Sequence, residues 1–101
     1  MRQMNDQYDG PLRLTSSAMM NGMVAGDVIV DTEELVYING TVVGDVVIEQ
    51  GSLVDVNGTV KGAVVNKGAD VTVAGVVGAI NDSVGAKTRI ASGAIVRGQR
   101  Y

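Results

Sequence analysis

The apolar positions of this chain keep a six-residue beat. Val24, Val30, Val36, Val42, Ile48, Val54 and Val60 are each six apart. A helix would need apolar residues at every third or fourth position along one face, and that pattern is absent. Between the beats the alternation is of strand type, as at Val28/Val30, Val46/Ile48, Val54/Val56 and Val71/Val73. The pattern predicts many short strands.

A longer period lies over this beat. A small residue followed by glycine occurs at Asn21-Gly22, Asn39-Gly40, Asn57-Gly58, Ala74-Gly75 and Ser92-Gly93, with spacings of 18, 18, 17 and 18 residues. A second glycine follows at Gly26, Gly44, Gly62, Gly78 and Gly98. Self-similarity at a fixed period marks a solenoid. Three beats per period predict an all-β, three-sided β-solenoid of about four to five coils of ~18 residues. Positions eighteen apart then become vertical neighbours, about 4.8 Å apart. Each face is expected to turn two residues inward. The corner glycines are expected to supply positive φ. Asn21, Asn39 and Asn57 are expected to tolerate the left-handed conformation and to stack as an amide ladder.

Residues 1–19 break the period. They are read as an N-terminal arm, with a turn at Tyr8-Asp9-Gly10-Pro11 and a partial capping coil over Leu12–Met20. The solenoid domain is assigned to residues 20–101. Its last unit carries Ile90, Ile95 and Tyr101 and shows no clear polar cap. An uncapped solenoid end leaves a strand edge able to pair with another chain.

Composition agrees with a narrow core. Hydrophobic residues make up 46% of the chain and aromatics only 3%, so Val and Ile must fill the interior. Without Cys or His, thiolate and zinc sites and the ordinary catalytic triads are closed off. No catalytic, cofactor or metal residue is assigned, and the chain is read as a non-enzyme. A net charge of −3 argues against nucleic acid as a partner. No apolar run approaches the ~20 residues that span a bilayer. Residues Met1–Asp6 lack the apolar core of a secretion signal, so a cytoplasmic location is the expectation.

Charge is uneven along the chain. Residues 27–60 hold Asp27, Asp31, Glu33, Glu34, Asp45, Glu49 and Asp55 and no Lys or Arg. Residues 61–101 hold six cations against Asp70 and Asp82. The period places Asp27 against Asp45 and Asp31 against Glu49, a repulsive stacking that Lys67, next to Glu49, would offset.

The stretch NGTVVGDVVIEQGSLVDVNGTVKG at Asn39–Gly62, with IASGAIVRG at Ile90–Gly98, resembles the core of bactofilins. These are bacterial polymer-forming cytoskeletal proteins. The resemblance covers roughly residues 20–101. It implies a right-handed β-helix that joins end to end into filaments without nucleotide.

Two functional expectations follow. One is a structural scaffold that self-associates through its ends, using Leu12, Leu14, Met19 and Met20 at one end and Ile90, Ile95 and Tyr101 at the other. A rod of opposite charge at its two ends favours head-to-tail association. The other is a stand-alone binding module, such as an immunity or inhibitor protein. Its acidic wall of Asp31, Glu33, Glu34, Glu49 and Asp55 would face a basic toxin.

Overall fold

Val24, Val42 and Val60 stand one above another on a single wall, each in parallel register with the next. That relationship repeats around the whole molecule. The computed structural model describes residues 2–98, which contain fifteen strands and no helix. Coil 1 is β1 (Arg2–Met4), β2 (Gln7–Tyr8) and β3 (Leu12–Leu14). Coil 2 is β4 (Ala18–Met20), β5 (Met23–Val24) and β6 (Val28–Val30). Coil 3 is β7 (Leu35–Ile38), β8 (Thr41–Val42) and β9 (Val46–Ile48). Coil 4 is β10 (Leu53–Val56) and β11 (Thr59–Asn66), and coil 5 is β12 (Asp70–Val73) and β13 (Val76–Asp82). Coil 6 is β14 (Lys87–Ile90) and β15 (Ile95–Val96).

The strands stack into three walls. The first runs β1-β4-β7-β10-β12-β14. The second holds β2, β5, β8, the first halves of β11 and β13, and β15. The third holds β3, β6, β9 and the second halves of β11 and β13. In coils 4 and 5 one strand turns the corner between walls two and three, with a register shift between Val60 and Ala63. The expected three-sided solenoid is therefore present, with six coils instead of four to five.

The additional coil lies at the N-terminal side. Strands β1 to β3 pair in parallel with β4 to β6, so the residues from Arg2 onward are wound into the solenoid. The step there is sixteen residues, as in Arg2 to Ala18 and Leu12 to Val28. It is eighteen through coils 2 to 4 and seventeen from Val54 to Val71 to Thr88. Inside this shorter coil Met4 lies below Met20, while Tyr8, Leu12 and Leu14 are larger than the valines above them. Met4 and Leu14 are buried, so coil 1 fills its own lumen.

In coils 2 to 4 walls one and three each turn two residues inward, such as Val36 with Ile38 and Val46 with Ile48. The two-residue strands of wall two turn in only one, such as Val42. Two inward residues on every wall were expected, and the short second wall supplies half of that. β-branched side chains suit this narrow interior because few rotamers are lost on packing.

The corner glycines work differently from the expectation. Gly22, Gly40, Gly58 and Gly75 do not have positive φ, and neither does any non-glycine residue described. A Cβ on Gly58 would overlap the carbonyl oxygen of Gly40 in the coil below, so close stacking of backbone is what requires glycine there. Positive φ occurs instead at the corner between walls three and one, at Gly51, Gly68 and Gly85, and at Gly93. The Ser92-Gly93 pair leaves the column, because Ile95 lies nineteen residues beyond its partner Val76 and Gly93 is absorbed into the extra turn.

Candidate functional site

The asparagine ladder forms as expected and is one rung longer. Nδ2 of Asn57 donates to Oδ1 of Asn39 at 2.9 Å, Asn39 to Asn21 at 3.1 Å, and Asn21 to Asn5 at 2.9 Å. All three bonds run toward the N-terminal coil. The ladder staples the corner between walls one and two.

A second ladder uses carboxylates. Oδ1 of Asp27 accepts the backbone N–H of Asp45 at 2.8 Å, and Oδ1 of Asp45 accepts the N–H of Ala63 at 2.7 Å. Asp27 does stack against Asp45, but each carboxylate points into a backbone donor of the next coil. The expected repulsion is offset by charge-assisted hydrogen bonds. Gly44 and Gly62 leave room for these carboxylates, since a Cβ on either would overlap the Asp oxygen below.

The acidic wall is largely engaged within the chain. Asp31 pairs with Arg13 of coil 1, and Glu49 with Lys67 of coil 4 at 3.5 Å. Glu34 Oε2 accepts the N–H of Ser17 at 3.0 Å. Glu33 is exposed at the same corner. Asp55 stands on wall one between Tyr37 and Thr72, away from Asp31 and Glu49 at the edge of wall three. The five carboxylates thus do not share one face. The Lys67–Glu49 pairing was expected from the eighteen-residue period, and Arg13 and Asp31 are likewise eighteen apart.

The end residues separate into two groups. Leu14 and Met20 are buried core residues, Leu12 is half-buried in coil 1, and Met19 is half-buried on the outer side of coil 2. Coil 1 lies below Met19 and Met20, so neither is at the end of the solenoid. Ile90 and Ile95 in coil 6 are 40% and 53% exposed. Tyr101 lies outside the described residues. Among the described residues, wall three carries no strand above the second half of β13, and β15 pairs only with β13.

Sequence reading missed the polar network below this edge. Asn66 is fully buried at an inward position that Leu14, Val30 and Ile48 fill in the coils below. Its Oδ1 accepts the N–H groups of Gly68 and Ala69 at 3.1 and 2.7 Å. Its Nδ2 donates to Oγ1 of Thr88 at 2.8 Å and to the carbonyl of Ala69 at 3.1 Å. The Thr88 hydroxyl donates to Asp82 at 2.6 Å. On wall three the column that is aliphatic in coils 1 to 3 is therefore polar from coil 4 upward. The signal in the sequence was one Asn at a strand position where the period demands an aliphatic residue.

A shallow hollow of about 220 Å³ lies along the corner of Gly51, Gly68 and Gly85, beside Ser52, Asp70 and Lys87. Ser52 Oγ is buried there without a hydrogen-bond partner. Asp70 is held by Arg89 at 2.9 Å. No group of three or more acidic residues among the described residues is placed to hold a metal ion. No helix of the described residues is long and apolar enough to cross a membrane.

Compared with family models, curated proteins and solved structures, the chain matches none. The solenoid itself fits a scaffold or binding protein, since solenoids present long regular surfaces and strand edges.

Proposed function

We propose that this chain is a non-enzymatic structural protein that self-associates through the ends of its solenoid, in the manner the bactofilin resemblance implies. One observation carries the reading. Ile90 and Ile95 are exposed on a last coil whose upper strand edges are unpaired among the described residues. Apolar side chains beside open backbone donors and acceptors favour addition of another strand. Light scattering of the full chain against concentration tests it. Mass should rise with concentration, and Ile95→Arg, an outward position, should hold the chain at single-copy mass with its circular dichroism unchanged. A rise that is the same in Ile95→Arg contradicts the assignment of this end.

A second reading is a protein-binding module such as an immunity protein, with a basic toxin as partner. It is favoured by the seven carboxylates in residues 27–60, where no Lys or Arg stands. Internal pairing of Asp31 and Glu49 weakens it. Constant single-copy mass, together with loss of binding to a basic protein on charge reversal at Glu33 and Glu34, would favour this module over the scaffold.

A further inference from the structure

One dipeptide recurs at the corner between walls one and two: Asn21-Gly22, Asn39-Gly40 and Asn57-Gly58. In an Asn-Gly pair the asparagine side chain reacts readily with its own main chain, because glycine has no Cβ to hinder the approach. The glycine nitrogen, once it loses its proton, attacks Cγ of the asparagine. The N–Cγ bond forms, the Cγ–Nδ2 bond breaks, and Nδ2 leaves as ammonia. Water then opens the five-membered imide at either carbonyl, which gives aspartate or isoaspartate.

The stacked coils withhold what this step needs. The N–H of Gly40 donates to the Met20 carbonyl and that of Gly58 to the Ile38 carbonyl, both at 2.9 Å. The side-chain amides of Asn39 and Asn57 are each bonded to the rung below. A bonded N–H ionises poorly, and a tied side chain does not turn onto it. The acceptors for these two corners lie in coils 2 and 3, and each of those coils is stacked on both sides.

Asn21-Gly22 is held in the same way, but by coil 1. The Gly22 N–H donates to the Met4 carbonyl at 3.0 Å, and Nδ2 of Asn21 donates to Oδ1 of Asn5 at 2.9 Å. Among the described residues the strands of coil 1 pair only with those of coil 2. Coil 1 buries Met4 and Leu14, whereas coil 2 buries Ala18, Met20, Val24, Val28 and Val30. Arg2 stands in the inward column of Ala18 and is exposed. An end segment with few buried apolar side chains opens at a lower free-energy cost than the middle of the structure.

We infer that Asn21-Gly22 is a modification site of this protein, converted to aspartate or isoaspartate while coil 1 is lifted from coil 2. Opening of coil 1 frees the Gly22 N–H and the Asn21 amide together and leaves the two higher corners closed.

The test is peptide mapping by mass spectrometry during incubation of the full chain at mildly alkaline pH, in buffer and in concentrated urea. The urea rate at each corner gives its unfolded reference, and protection is the ratio of that rate to the rate in buffer. Protection at Asn39 and Asn57 should exceed that at Asn21 by about tenfold or more. Met4→Ala removes a buried side chain of coil 1 and should speed the reaction at Asn21 in buffer several-fold, whether it loosens coil 1 or undocks it outright. Ile80→Ala makes a comparable cavity in coil 5 and should leave the Asn21 rate unchanged. Equal protection, or none, at all three corners would overturn the inference. So would an Asn21 rate that rises as much in Ile80→Ala as in Met4→Ala.

Discussion

Nδ2 of Asn66 lies 2.8 Å from Oγ1 of Thr88, joining coil 4 to coil 6 across the corner of coil 5. The bond is one of several that Asn66 makes at a fully buried position. Replacement with Ala would leave the N–H groups of Gly68 and Ala69 without their acceptor. Asn66→Ala should therefore destabilise the chain by about 2–3 kcal/mol in urea unfolding. Asn66→Leu, which restores the aliphatic character of Ile48, should recover only part of the loss. Full recovery would mean that the hydrogen bonds contribute nothing.

Asp45 offers a separation of charge from hydrogen bonding. Asp45→Ala removes the acceptor for the Ala63 N–H and should cost about 1–2 kcal/mol. Asp45→Asn keeps an acceptor oxygen and should lose less than half of that. Equal losses in the two variants would assign the effect to charge.

Two glycines should fail for different reasons. At Gly58 a Cβ has no room above the Gly40 carbonyl, so Gly58→Ala should cost about 3 kcal/mol or more, as overpacking does. At Gly85 the space is open but φ is +86°, so Gly85→Ala should cost about 1–2 kcal/mol, the strain of a left-handed alanine. Thermal melts of both variants rank them. The reverse order would contradict the stacking role of the Gly22–Gly75 column.

Ser52 should tolerate loss of its hydroxyl. Its Oγ is buried without a partner, and burying an unpaired hydroxyl is unfavourable. Ser52→Ala should be neutral or stabilising by up to about 1 kcal/mol. A loss above that would show a hydrogen bond to this hydroxyl.

The central coils were legible because one side-chain type repeats at one spacing. Val24, Val42 and Val60 give both the period and the wall they build. Coil 1 was legible only in part, through the alternation of Leu12 and Leu14 that marks a partial coil over Leu12–Met20. Its sixteen-residue step moves Leu12 and Leu14 out of phase, and its larger side chains do not resemble the valines above. The glycines announced corners but not their mechanism, since positive φ and close backbone approach both demand a missing Cβ. Carboxylates eighteen apart read as repulsive, because sequence shows the charges but not the backbone N–H each one meets. Of the proposed end residues, Ile90 and Ile95 are on the surface, while Leu14 and Met20 are core. Apolarity alone does not separate the two roles at the end of a solenoid.

Vertical neighbourhood between coils underlies the whole architecture, and the chain has no native cysteine to confuse a cross-linking test. Thr41 and Thr59 face outward in adjacent coils, and Val76 lies one coil beyond Thr59. Adjacent coils bring Cα atoms within the roughly 4.4–6.8 Å that a disulfide spans, and a gap of two coils does not. On mild oxidation, Thr41→Cys/Thr59→Cys should close an intramolecular disulfide rapidly and nearly completely. Thr41→Cys/Val76→Cys should not. Equal yields from the two pairs, or closure of the second alone, would contradict the stacked-coil architecture.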